Sequence, residues 1–297
     1  MAVLDRAVRR VLDRMRLSIR PRATAGRHGG HRSPFKAAGV EFADHRPYVS
    51  GDDVRHIDWK AFARHGQLVL RQFEEERDAF IHVLLDVTGS MSRGQPPKID
   101  VAQRLAASFA YIGMRQFDRA RVIPFADDLE DLPLAIRGPQ DLPALEKLLA
   151  AAAPDGPTNF AQAVHQMGVR GTPRGMVIVI TDLMTPEGWA DGFRHLGAMG
   201  HEIRVVHVGC AEDLNPTFNG ELELCDAETD ERVRLRVGKP LLARYAEEVK
   251  KHIDGCRESV RCAGGRWMEV DVAMPADMML KRVFGGPELK TAAGLGR

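Results

Sequence analysis

The chain has 297 residues, of which 44% are hydrophobic and 28% are charged, a composition typical of a globular protein that can bury a large core. It has no run of about 18 apolar residues. Its first fifteen residues carry acids and arginines where a signal peptide needs an apolar segment. These features argue against a membrane span and lead us to expect a cytoplasmic location.

The N-terminal segment 1–38 is predicted to be a basic amphipathic helix followed by a linker. Residues 1–40 hold ten Lys or Arg and only two Asp or Glu. Within residues 3–17 the apolar side chains recur at helical spacing with arginines opposite, which predicts a helix that docks on its own domain or on a partner. An acidic membrane is the alternative surface, so we expect at most a peripheral membrane contact through this helix. A Gly/Pro-rich basic stretch, 21–34, predicts the linker.

Residues 39–78 are predicted to form a short β extension around a turn-rich centre, GDDVRHIDW. Two interpretations of that centre stay open. Its charged side chains can form a buried network of ion pairs and helix caps around a tryptophan packed as core, or the same residues can form a partner-binding surface. The residues concerned are Asp52, Asp53, Arg55, Asp58 and Trp59.

From residue 79 to 285 the sequence alternates between strand and helix patterns, which predicts an α/β fold with a doubly wound, mostly parallel sheet. We expect a β-hairpin insertion at 218–237 and a tail at 286–297. The predicted strands are 79–86, 120–126, 175–182, 203–209 and 266–272, and the predicted helices are 98–117, 140–152, 159–168, 187–199 and 240–262.

Oxygen-bearing side chains cluster where two predicted strands and one helix-opening loop meet the crevice at the carboxyl edge of the sheet. Asp86, Thr88 and Ser90 follow the first core strand, Asp182 follows the strand GMVIVIT, and Thr158 lies in a Gly/Pro loop. Carboxylate and hydroxyl oxygens suit Mg²⁺ or Mn²⁺, and this set leaves one position open to an outside carboxylate. The alternative is that these residues only cap helices and turns.

Other function classes fit the sequence less well. A phosphotransferase or hydrolase that uses Asp86 as nucleophile is the alternative function, but such chemistry asks for D-x-D, and position 88 is Thr with no lysine evidently placed to assist. No strand is followed by a glycine-rich phosphate loop, and the basic N-terminal segment lacks interleaved aromatics. We therefore expect neither catalysis nor specific nucleic-acid binding.

The stretches DVTGSM, GPTNFAQAV and VIVITDL resemble the metal-ion-dependent adhesion site (MIDAS) of von Willebrand factor A domains, whose pattern is D-x-S-x-S, then Thr, then Asp. This resemblance implies Asp86, Thr88, Ser90, Thr158 and Asp182 as the metal ligand positions. Thr88 stands where the pattern has Ser, and because it keeps the hydroxyl we expect the site to bind metal.

The stretch EFADHRPYVSGDDVRHIDWKAFARHGQLVLRQFEEERD resembles the signature of the bacterial domain-of-unknown-function fifty-eight family, whose members carry such a domain. Members of that family are associated with MoxR-type AAA+ ATPases. The resemblance therefore implies a non-enzymatic, chaperone-like adaptor that works with such an ATPase and captures a target protein through an Asp or Glu.

Overall fold

The computed structural model describes most of the chain and divides it into two compact units. One unit contains residues 1–20 together with 79–297, and the other contains residues 21–78. The described residues are 4–15, 17, 40–49, 54, 57–75, 80–117, 119–129, 132, 135–185, 187–214, 216–227 and 231–284.

Helix α1 (Arg6–Leu12) is shorter than the predicted 3–17. The Asp5 side chain caps its first turn by accepting a hydrogen bond from the Val8 backbone N–H at 2.7 Å. The helix ends at Leu12, and the chain then continues in turns along the same unit.

The unit 21–78 contains an antiparallel pair of strands, β1 (Val40–Pro47) and β2 (Val69–Glu75), and a helix, α2 (Trp59–His65), between them. We expected only strands and turns in residues 39–78, and this expectation is wrong for Trp59–His65, which form a helix. Asp58 begins this helix and caps it, accepting from the Lys60 and Ala61 backbone N–H groups at 2.9 and 3.0 Å.

The interpretation that Trp59 packs as core is wrong. Its side chain is 60% exposed and meets Phe62, another exposed side chain, edge to face with ring centroids 6.3 Å apart. Because Asp58 starts a helix at this point, the following residue lies on the first turn, and this turn faces solvent. The other three residues of the predicted network, Asp52, Asp53 and Arg55, lie outside the described residues.

The unit of residues 1–20 and 79–297 is built on a five-stranded parallel sheet, which confirms the predicted mixed α/β fold. The strands are β3 (Phe80–Asp86), β4 (Arg119–Phe125), β5 (Gly175–Thr181), β6 (Glu202–Gly209) and β9 (Arg266–Asp271). Their order across the sheet is β4-β3-β5-β6-β9. The central strands are buried on both faces, as their near-continuous Val, Ile and Leu sequences require. Ile136 extends the edge by an antiparallel bridge to Ala120.

Helices cover both faces of the sheet. One face packs against α3 (Lys98–Gln116), α4 (Leu142–Ala151) and α9 (Ala276–Phe284), and the other against α5 (Phe160–Val169), α6 (Trp189–Ala198) and α8 (Lys239–Cys262). Alternate residues of each strand contribute to the two cores, as the period of a β-strand requires. The last helix, α9, was not predicted from the sequence.

Helix α1 belongs to the first of these cores. Its Leu12 is buried, as are the flanking Leu4 and Leu17, and the helix packs on α3. The Gln116 side chain holds the segment by accepting from the Leu17 N–H and donating to the Met15 carbonyl, both at 2.6 Å. The N-terminal helix thus docks on its own unit.

A short helix and a hairpin connect β6 to α8. Helix α7 (Ala211–Leu214) leads to the antiparallel strands β7 (Gly220–Cys225) and β8 (Arg232–Val237). Cross-strand pairs alternate between a charged face, such as Glu223 with Arg234, and an apolar face, such as Leu224 with Val233.

The contact between α5 and α6 depends on a missing side chain at Gly192. A Cβ atom there would lie 2.4 Å from the Phe160 ring, which is buried. We expect Gly192→Ala to lower the free energy of unfolding by about 1–3 kcal/mol through overpacking. The matched control is Gly255→Ala in α8, where nothing lies within 4 Å and the better helix propensity of Ala should raise stability by up to about 1 kcal/mol. Urea unfolding of both variants measures these changes, and equal effects would contradict the packing argument.

Candidate functional site: an oxygen-rich cluster at the carboxyl edge of the sheet

The predicted ligand residues surround the carboxyl ends of two neighbouring strands. β3 ends at Asp86, and β5, which pairs with it in parallel, ends one residue before Asp182. Both carboxylates are buried. The structure therefore brings together the two acids that the sequence places 96 positions apart.

Asp86 is fully buried, with both carboxylate oxygens in hydrogen bonds. Oδ1 accepts from the Thr88 backbone N–H at 3.0 Å and from the Thr88 hydroxyl at 2.7 Å. Oδ2 accepts from the Thr181 hydroxyl at 2.5 Å. Burial, reinforced by the nearby charge of Asp182, raises the pKa of Asp86 to about 7. The carboxylate is thus oriented by its neighbours and short of positive charge.

Ser90 and Thr158 lie on the two loops beside Asp86. Ser90 is in a short 3₁₀ helix, Gly89–Ser92, and its hydroxyl lies 3.3 Å from that of Thr88. The loop that carries Thr158 is held against this one, because the Gly89 N–H donates to the Gly156 carbonyl at 3.0 Å. Thr158 does not cap α5. Asn159 does, accepting from the Gln162 N–H at 3.1 Å.

Asp182 is positioned by a strained turn. Its Oδ1 accepts from the Met184 N–H at 3.2 Å, and the residue between them, Leu183, has a φ of +59°. A left-handed conformation is uncommon for a leucine and is maintained by its surroundings. Here His252 of α8 donates from Nε2 to the Leu183 carbonyl at 2.7 Å.

A lysine completes the cluster, and the sequence analysis did not find it. Lys98, the first residue of α3, is 1% exposed, and its Nζ donates to Asp182 Oδ2 at 2.5 Å and to Asp213 Oδ2 at 2.8 Å. The two carboxylates raise the pKa of Lys98 against the opposing effect of burial, so the ammonium stays charged. The expectation that no lysine is placed near the strand-end acids is therefore wrong.

Thr181 and Asp213 were also missed. Thr181 reads as the last residue of an apolar strand, and Asp213 lies in the connection after β6. Only the general rule that strand ends of a parallel sheet share an edge could have indicated them. Lys98 offered a weak signal of its own, because it directly follows two prolines at the start of a predicted helix.

The residues present fit a hard divalent cation. An octahedral shell with metal–oxygen distances of about 2.1 Å places adjacent ligand oxygens about 3 Å apart. The spacings of 2.7 Å from Thr88 Oγ1 to Asp86 Oδ1 and 3.3 Å to Ser90 Oγ are close to that value. Within the described residues, no group of three His, Cys, Asp or Glu side chains could hold a metal. A cation here would therefore need the hydroxyl oxygens as ligands.

The family comparison matches most of the chain. The model of the family described as "Protein of unknown function DUF58" matches residues 44–254. Two similar relatives are the uncharacterized protein Rv1480 of Mycobacterium tuberculosis and the uncharacterized protein Mb1516 of Mycobacterium bovis. Each is 25% identical over 256 residues, which cover 84% of this chain and 80% of the relative.

Two solved structures are similar to this chain at low sequence identity. The conserved hypothetical protein BatB from Bacteroides thetaiotaomicron is 19% identical with a TM-score of 0.41, and the match covers 65% of this chain and 90% of BatB. An aerotolerance-related membrane protein from Bacteroides fragilis is 20% identical with a TM-score of 0.47, covering 69% of this chain and 98% of that protein. In the part of the present chain that is described, no helix has the length and apolar character needed to cross a membrane.

Proposed function

The chain belongs to the DUF58 family, whose function is unknown, and from the geometry of its oxygen-rich cluster we propose that it is a non-enzymatic adaptor that binds a protein through a divalent metal ion. In this proposal the unit 79–285 is a von Willebrand factor A-like domain with a MIDAS. Asp86, Thr88, Ser90, Thr158 and Asp182 would hold Mg²⁺ or Mn²⁺. The ion would supply a Lewis-acidic position to which a carboxylate of the bound protein attaches.

The arrangement around Asp86 is the observation that carries this proposal. Its two oxygens accept three hydrogen bonds, and its side chain has no exposed surface. A carboxylate held in this way can orient toward a small cation, but it has little freedom to attack a substrate. The site favours binding over chemistry.

We further propose a MoxR-type AAA+ ATPase as the working partner and a target protein that offers an Asp or Glu. The unit 21–78 provides a candidate surface for one of these partners, because Trp59 and Phe62 expose apolar rings on α2. Asp58 is itself buried, and we include it in the proposed partner-binding set because it caps the helix that carries the two rings. The same proposal includes Asp52, Asp53 and Arg55, the other charged residues of the GDDVRHIDW stretch.

One observation favours the alternative function. Lys98 supplies, close to Asp182, the lysine that a phosphotransferase or hydrolase with Asp86 as nucleophile would need. Turnover of p-nitrophenyl phosphate in the presence of Mg²⁺ tests this alternative. Hydrolysis by the wild type and its loss in Asp86→Asn would favour the enzyme, whereas we expect no turnover by either protein.

A calorimetric titration with Mg²⁺ and with Mn²⁺ tests the metal site directly. We expect saturable binding of one ion by the wild type and a loss of affinity of about tenfold or more in Asp182→Asn, because one anionic ligand becomes neutral while its shape is kept. The asparagine is chosen because alanine would leave the buried Lys98 without its nearest acceptor.

The matched control is Asp191→Asn, which removes the same charge from an exposed ion pair with Arg194 on α6. Its metal affinity should equal that of the wild type. No uptake of either metal by the wild type, or equal affinities for all three proteins, would show that the cluster only caps loops and helices.

A further inference from the structure

The buried ammonium of Lys98 places a positive charge beside a proposed metal ligand, Asp182. Cation sites are normally built from anions and neutral donors, and a resident positive charge beside a ligand carboxylate weakens the attraction for a metal ion. Lys98 nevertheless lies against Asp182 with 1% of its side chain exposed. Its partner on the other side, Asp213, is 18% exposed.

The two carboxylate oxygens of Asp182 have different hydrogen-bond partners. Oδ2 accepts from Lys98 at 2.5 Å, while the bond that Oδ1 accepts from the Met184 N–H is longer, 3.2 Å. Oδ1 is therefore the oxygen available to a cation or to its bound water. Lys98 in turn is held at the start of α3, where its backbone N–H donates to the Arg93 carbonyl at 2.8 Å.

We propose that Lys98 and Asp213 are a charge-setting pair, which fixes the net charge of the metal site so that a bound divalent ion stays attractive to an outside carboxylate. This inference rests on the proposed function. With a divalent ion present, the charges of Asp86, Asp182, Asp213 and Lys98 leave the site neutral. Without the ammonium the loaded site would be negative, and it would hold the metal more tightly but repel an incoming Asp or Glu.

Asp213 connects the site to α7, the short helix that follows β6. It lies in α7, between the end of β6 and the hairpin of β7 and β8, and its bond to Lys98 joins that connection to the Asp182 loop. Lys98 and Asp213 act on the metal and its ligand through Asp182, so both are positioning residues. They set how strongly the site prefers a metal over a carboxylate.

Opposite charge changes at the two positions test the pair with Mn²⁺ as the probe. Lys98→Met removes the positive charge and keeps an unbranched side chain, while Asp213→Asn removes the negative one. We expect the Mn²⁺ affinity to rise about tenfold in Lys98→Met and to fall about tenfold in Asp213→Asn. The double variant, with the wild-type net charge, should return close to the wild-type affinity.

Acetate binding to the Mn²⁺-loaded proteins provides the second measurement. Acetate that replaces a metal-bound water lowers the relaxation of solvent protons by Mn²⁺, and this change can be titrated. We expect weaker acetate binding in Lys98→Met and stronger binding in Asp213→Asn, the reverse of the order for the metal. Lys147→Met, at an exposed position on α4, is the control for net charge and should match the wild type.

The outcomes separate the pair from the site on which it depends. Shifts of Mn²⁺ affinity in the same direction in both single variants, or in neither, overturn the charge-setting pair and leave the metal site standing. A wild type that takes up no Mn²⁺ overturns the proposed function and the pair together. If Lys98→Met does not fold, the direction of the shift in Asp213→Asn decides, because a rise or no change there contradicts the proposal.

Discussion

Lys98→Met is expected to lower the free energy of unfolding by about 3–5 kcal/mol when no metal is present. The ammonium is buried between Asp182 and Asp213, at 2.5 and 2.8 Å. Its removal leaves two carboxylates close together, one of them 2% exposed, without a counter-charge. An unpaired buried charge loses hydration that no contact replaces. Urea unfolding in a chelating buffer measures the change.

The control is Lys281→Met in α9, which breaks an i,i+4 pair with Asp277 whose side chains are both about two-thirds exposed or more. Such pairs contribute at most about 0.5 kcal/mol, so this variant should unfold close to the wild type. The double variant Lys98→Met/Asp182→Asn should recover part of the lost free energy of unfolding, because one of the two unpaired carboxylates becomes neutral. A loss below about 1 kcal/mol in Lys98→Met would show that the ammonium contributes little to stability.

Acidification is expected to destabilise the protein through His82 on β3. The ring is fully buried, and burial lowers its pKa from 6.5 to about 4 in the folded protein. Nε2 donates to the Pro173 carbonyl at 3.0 Å, whereas Nδ1 has no hydrogen-bond partner among the residues that the structure describes. Protonation would place a second, unpaired donor and a positive charge in the core, close to His201 and Arg121.

The direction of the stability change with pH follows from the order of the folded and unfolded pKa values of His82. Because the unfolded chain binds the proton near pH 6.5 and the folded one only near pH 4, stability is lost as the pH falls between these values. A difference of this size corresponds to about 3 kcal/mol from His82 alone. Unfolding free energies measured at pH 7 and at pH 4.5 report the loss.

The comparison that isolates His82 is between variants at both pH values. Between these two pH values, His82→Leu should lose about 2 kcal/mol less than the wild type, whatever its stability at neutral pH. His165→Gln, at an exposed position of α5, should behave as the wild type does. Identical pH dependence of His82→Leu and the wild type would show that this ring is not responsible.

The sequence was most informative where periodicity and burial agree. The five core strands were predicted within two residues, since their apolar runs have no other place than the interior of a parallel sheet. Helix α2 was missed because its seven residues carry too little periodic pattern, although Asp58 was expected to take part in a network of ion pairs and caps and does cap this helix. The exposure of Trp59 depends on where that helix starts.

Local sequence indicated the acids and hydroxyls on the loops of the candidate site but not the residues that contact the two acids. Asp86 and Asp182 could be paired in advance because parallel strands share a carboxyl edge. Lys98, Thr181 and Asp213 could not, since their roles come from distances across the fold: Lys98 reaches Asp182 from a position 84 residues away. Nothing in a local pattern distinguishes a buried ammonium of this kind from an ordinary helix-starting lysine.

The unit that carries the site is assembled from two separated parts of the chain, residues 1–20 and 79–297. The leucines at positions 4, 12 and 17 are buried in its core, and the Gln116 side chain hydrogen-bonds to the backbone of Met15 and Leu17. In a fragment that starts at residue 79, the apolar surface of α3 that these leucines cover would therefore be exposed. A synthetic peptide of residues 1–20 is its natural complement, so the two pieces should reassociate without a covalent link.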